Sequence, residues 1–162
     1  MIVNSRMEQY LSHLLDEHTN QMNISIDQAE IQNLVTPYFF EWDQCVLLKQ
    51  SSVEELPVSF VPNSYLLDRT AFEAYYNHIH LNDCINSTSR SYHLLQTAIE
   101  IIEIWKITLS NQFKNRKRFI IILSYDAEDC VLRFHTLREE ERSWLNVDSL
   151  ESYAEGIMMI EV

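Results

Sequence analysis

The chain has 162 residues, 46% hydrophobic and 22% charged, enough for one domain with its own core and too apolar for a disordered polypeptide. Acidic residues outnumber basic ones 24 to 12, a formal net charge of −12 that disfavours nucleic acid and anionic membranes as partners and favours a basic protein. One glycine in the whole chain excludes P-loops, G-x-G-x-x-G dinucleotide sites and the G-x-S-x-G nucleophile elbow, which need several.

In chain order, Ser5-Arg-Met-Glu8 has the form of a capping box. Met7, Tyr10, Leu11, Leu14 and Leu15 follow at helical spacing and predict a first helix. Ser25-Ile-Asp-Gln28 predicts a second, carrying Ala29, Ile31, Leu34 and Val35 and stopped by Pro37. Asp43 to Lys49 reads as a strand. Val58 to Val61, held between Pro57 and Pro62, is at best a short edge strand. Thr70-Ala-Phe-Glu73, a third capping box, opens a helix bearing Phe72, Tyr75, Tyr76 and Ile79. The longest element runs from about Ser89 to Phe113, with an apolar face broad enough to lie across a sheet.

The apolar run that starts at Phe119 predicts a buried central strand over Phe119 to Tyr125. Asp126-Ala-Glu-Asp129 makes a turn into a half-buried partner strand, Cys130 to Thr136. There Leu132 and Phe134 face one way and Arg133 and His135 the other. Asp148-Ser-Leu-Glu151 caps a short helix, Gly156 stands where a helix C-terminus wants a left-handed residue, and Ile157 to Val162 is a last strand. The expected fold is a single α+β domain over residues 1–162: a mixed or antiparallel sheet with one long helix and shorter ones packed on it.

The first ten residues lack the apolar stretch of a signal peptide, and no window approaches the roughly 18 apolar residues of a membrane span. Cys45, Cys84 and Cys130 are odd in number and widely spaced, as suits reduced thiols, so a cytoplasmic protein is expected. His78 and His80, followed by Asp83 and Cys84, are the best metal candidates. On a helix positions i and i+2 diverge and no second ligand pair follows, so no metal or other cofactor is expected. A Cys84–His80 thiol–imidazole pair is disfavoured by Asp83, and Cys45 and Cys130 read as small core residues. His13 and His18, five apart, are poorly spaced as ligands. No catalytic residue is assigned. Lys114, Arg116, Lys117 and Arg118 follow the long helix and complement the negative end of its dipole.

Two surfaces remain. Arg133 and His135, supported by Tyr125 or Glu141, form a possible ligand face on the sheet. Arg138-Glu-Glu-Glu-Arg142-Ser-Trp144 sets three carboxylates beside an aromatic. Glu139, Glu140, Glu141, Trp144 and Asp148 are therefore the candidate partner-binding residues. The segments Asp129-Cys-Val-Leu-Arg-Phe-His135 and Trp144-Leu-Asn-Val-Asp148-Ser-Leu-Glu-Ser-Tyr153 resemble the small acidic immunity proteins of bacterial polymorphic toxin systems, over the last quarter of the chain. The resemblance implies a cognate toxin domain, often a nuclease, blocked by tight binding, and the net charge makes a basic one the expected partner. The expectation is a non-catalytic inhibitor that occludes its partner. The alternatives are a small regulatory adaptor, or a ligand-binding domain or enzyme using the Arg133/His135 face.

Overall fold

The apolar run at Phe119 makes the strand around which the other elements are arranged. The structure is a computed structural model and describes residues 1–17, 31–50, 56–85, 91–114 and 116–162. In chain order the elements are β1 (Ile2–Val3), α1 (Ser5–Glu17), α2 (Gln32–Val35), β2 (Phe39–Trp42), β3 (Cys45–Leu48), α3 (Arg69–Tyr76), β4 (Ile79–His80), α4 (Leu81–Cys84), α5 (Ser91–Phe113), β5 (Phe119–Tyr125), β6 (Cys130–Thr136), a 3-10 helix (Val147–Ser152) and β7 (Gly156–Glu161). The main sheet has the order β1-β7-β5-β6-β4, and β2 and β3 form a separate hairpin. Every pairing among the described residues is antiparallel, so the sheet is not mixed.

Strand alternation sorts the central strands onto two faces. Ile121, Leu123, Leu132, Phe134, Met158 and Ile160 share a core with Leu95, Ile102, Trp105, Leu109 and Phe113 of α5. Phe39, Trp105, Phe119 and Phe134 meet there edge to face, with ring centroids 5.2–6.2 Å apart. The Trp105 indole N–H donates to the Leu34 carbonyl at 3.0 Å. The opposite face carries Ile120, Ile122, Ile157 and Met159 under Leu137, Leu145, Leu150 and Tyr153. The α+β fold, the long helix and the central place of Phe119–Tyr125 are thus as the sequence predicts.

Several local expectations are corrected. The caps lie one or two residues earlier than the Ser/Thr-x-x-Glu pattern suggests. Asn4, not Ser5, accepts from the Met7 N–H (3.0 Å), Asp68 from Ala71 (2.7 Å), and Asn146 from Asp148 (3.1 Å). No strand forms at Val58 to Val61. Ile79 leaves the helix and pairs with Leu132, because α3 ends at Tyr76 with Asn77 as its C-cap. Gly156 has no positive φ and begins a strand. It is glycine because α1 crosses so closely that an added Cβ would meet Tyr10 Cδ2 at 2.9 Å and Met7 Cα at 3.1 Å. The predicted Ser25–Gln28 helix start and His18 lie outside the described residues.

Candidate functional site

The site is built outward from the far end of β6. Glu73 and Asn77, four apart on α3, point between β6 and the hairpin and do the work of a missing strand. Glu73 accepts from the N–H groups of Val46 (2.5 Å) and Thr136 (2.6 Å), and Asn77 accepts from Leu48 (2.9 Å). The Asn77 amide donates to the carbonyls of Val46 (2.9 Å) and Phe134 (3.2 Å). Arg138 closes the node, its Nη1 and Nη2 at 2.8 and 3.0 Å from the Glu73 carboxylate. Burial works against the Arg138 charge, but Glu73 more than restores it and holds the guanidinium above its usual pKa.

From Arg138 the chain crosses the sheet face away from α5 as a strap, residues 137–153, fastened at both ends. Glu141 does not join the free surface: its carboxylate accepts from the Thr70 N–H at 2.7 Å, at the start of α3. Burial pushes the Glu141 carboxyl up, but Thr70, Arg138 and the Arg69 N–H outweigh it and hold the carboxyl below its usual range. At the other end Glu151 accepts from the Ser5 N–H at 3.0 Å, and the Asn4 amide donates to the Leu150 carbonyl at 3.2 Å.

The strap corrects the expected Arg133/His135 ligand face. His135 is fully buried beneath it: Nδ1 lies 3.0 Å from the Thr136 carbonyl, and Nε2 faces the Ser143 hydroxyl (3.4 Å) and the Trp144 N–H (3.5 Å). Desolvation pushes its pKa below the ordinary value. Arg133 is half-buried, with its guanidinium 5.6 Å from the Trp144 ring centroid. Neither expected supporter serves this face, since Tyr125 packs edge-on against Tyr10 in the main core and Glu141 turns to α3.

What remains on the outside is Glu139, Glu140 and Asp148, all exposed, together with Trp144, 39% exposed. Four of the five predicted partner-binding residues therefore share one exposed strap, and the fifth helps to hold it. Glu73 and Asn77 were missed. Their signal was a polar stripe, Thr70, Glu73 and Asn77 at i, i+3 and i+7, which the capping-box pattern disguised.

At the end of the sheet, Arg116, Lys117 and Arg118 meet Thr136, Leu137, Arg138 and Glu139 around a cleft of about 360 Å³. The expected helix-dipole role is only part of their surroundings. Lys117 reaches Glu41 at 3.3 Å and the Gln44 carbonyl at 3.4 Å, and Arg118 pairs with Glu161. The other sequence candidates are dispersed. The His78 and His80 rings approach to 5.6 Å, because they lie at a strand rather than in a helix. His80 is engaged by Asp129 at 3.0 Å, and among the described residues no three His, Cys, Asp or Glu side chains gather as a metal would need. Cys45 and Cys130 are buried in strands, and burial raises both thiols to about 12. His13, exposed on α1, meets the Tyr92 hydroxyl at 3.2 Å. No helix among the described residues is long and apolar enough to cross a membrane.

A family model described as the uncharacterized protein PM0498 family matches residues 2–162, and the chain belongs to that family. No curated protein and no solved structure matches the chain.

Proposed function

We propose that the protein is a non-catalytic binding protein that docks a basic partner on its acidic strap and neutralises it by occlusion, as immunity proteins do to toxin effector domains. One observation carries this: the strap is held in place before any partner arrives. Glu141 fastens one end to α3, Glu151 the other to α1, and Leu145 and Leu150 are sunk in the second core. Glu139, Glu140, Asp148 and the rim of Trp144 are thereby presented on a fixed backbone. Ordering a free loop on binding costs about 0.5–1.5 kcal/mol for each immobilised side chain, and a strap already in place avoids part of that loss.

The chemistry fits a cationic cleft. Carboxylates steer the approach, and Trp144, backed by Arg133, offers a partly exposed aromatic anchor on the same strap. A nuclease cleft, basic because it must hold phosphates, is one such target.

The test is capture from the host with tagged protein, followed by binding kinetics at rising salt. The expected partner is basic, and its association slows steeply as the Debye length falls from about 10 Å at 0.1 M to about 3 Å at 1 M. An acidic partner, or an association rate indifferent to salt, would overturn the proposal.

A further inference from the structure

In a chain with a net charge of −12, four of the twelve cations line a single cleft. Arg116, Lys117 and Arg118 come from the segment between α5 and β5. Arg138 comes from the neighbouring segment after β6, twenty positions on, where the Leu137 N–H donates to the Arg118 carbonyl at 2.8 Å, and its place is set by Glu73 rather than by any helix end. The helix dipole accounts for cations after Phe113; it does not account for the fourth. Glu139 is the one carboxylate among the lining residues.

The free valence of these groups differs. Lys117 leans on Glu41, and Arg138 on Glu73 and, at 3.8 Å, Glu141, none of which lines the cleft. Arg118 pairs with Glu161, but both side chains are largely exposed (65% and 49%), so the pair is screened by water and yields readily to a stronger anion. Arg116 is exposed and has no ion-pair partner among the described residues. Arg116 and the loosely paired Arg118 are therefore the two groups free to take an added anion. The volume falls within the range of small-molecule sites, roughly 300–1,000 Å³.

We infer that this cleft is an anion site for a phosphate group, held by Arg116 and Arg118 with Lys117 and Arg138 supplying the surrounding field. Two guanidinium forks on one short segment, with a third across the β5–β6 pair, suit a tetrahedral dianion, whose oxygens accept in several directions, better than a flat monoanionic carboxylate. The volume of the cleft leaves room for the organic part of a phosphate monoester. Glu139 stands at the rim as a repulsive group, which gives the site a signature of opposite sign.

Two-dimensional NMR titration at constant ionic strength tests this, with inorganic phosphate and phenyl phosphate as probes and chloride as control. Saturable shifts confined to residues 116–118 and 136–139 are expected. Arg116→Gln, which leaves the Arg118–Glu161 pair intact, should weaken binding by about tenfold or more. Glu139→Gln should tighten it, and Lys106→Gln, on the exposed side of α5 outside the cleft, should change nothing. Tighter binding of phenyl phosphate assigns a monoester and equal binding assigns the inorganic ion. Shifts that do not saturate, that chloride reproduces, or that survive Arg116→Gln overturn the site. Because the probe is a small anion, this outcome is independent of whether a basic protein docks on the strap.

Discussion

Glu73 is a carboxylate with no exposed surface, and five hydrogen bonds converge on its two oxygens, from Val46, Thr136 (two) and Arg138 (two). Removing it orphans two strand N–H groups and leaves the largely buried Arg138 guanidinium with only Glu141, 3.8 Å away, as counter-charge. Breaking a buried pair in this way costs about 3–5 kcal/mol, far more than the pair's net worth against an apolar substitute. Glu73→Ala should therefore lower the unfolding free energy by about that much in urea titration, and Glu73→Gln by less, since one of the two acceptor oxygens remains in a side chain of the same shape. A loss near zero for Glu73→Ala would mean that α3 is not what joins the hairpin to the sheet. His135 makes a second prediction at this scale. Its folded pKa is depressed by burial, with Glu73 and Asp68 opposing the shift and Arg138 adding to it. The unfolded state thus binds more protons between that value and about 6.5, so the contribution is complete above about pH 6.5 and is lost as pH falls through the window. Protonation also removes the lone pair of Nε2 that faces the strap. Stability measured from about pH 7 to about pH 5 should fall for the natural chain and fall less for His135→Gln.

Legibility divides the elements by how local their signals are. The apolar run from Phe119, the Asp126–Asp129 turn and the broad face of α5 are properties of neighbouring residues, and the structure keeps them. The β2–β3 hairpin was half seen. Its turn places Asp43 and Gln44 at φ 42° and 69°, a conformation usually advertised by Asn-Gly, and here no glycine marks it. The strap was invisible as a cover. Leu137, Leu145 and Leu150 follow neither a helical nor a strand period, so nothing in the sequence says that they lie over His135. That is why the Arg133/His135 face read as exposed, while Glu139, Glu140 and Asp148, which need only water, lie exposed as expected and Glu141 turns inward. Gly156 shows the same limit, because its reason is the crossing of α1 and β7, more than a hundred residues apart in sequence. Gly156→Ala should cost about 1–3 kcal/mol in chemical denaturation, since the added methyl must displace both the Tyr10 ring, itself packed against Tyr125, and Met7 backbone. An unchanged midpoint would show that α1 can rise off the strand without loss.

At the scale of the whole molecule, charge and shape separate two contributions to binding that a contact list would merge. The field belongs to the entire chain, whereas the anchor is one side chain, Trp144, backed by Arg133. Steering acts before contact and sets the association rate; an anchor acts after desolvation and sets the dissociation rate. Reversing Glu139 and Glu140 to Lys shifts the formal charge by four units, from −12 to −8, concentrated at the strap, and leaves Glu141 to cap α3. That double variant should bind the captured partner with a slower on-rate, a shallower salt dependence and a nearly unchanged off-rate. Trp144→Ala should do the reverse, raising the off-rate by about tenfold or more while the salt slope of association stays as it was. Including Glu141 in the reversal would confuse the experiment, because loss of its bonds to α3 would loosen the strap itself and alter both rates together. If the double reversal and Trp144→Ala both left the kinetics unchanged, the partner would be seated elsewhere and the strap would be only the cover of the second core.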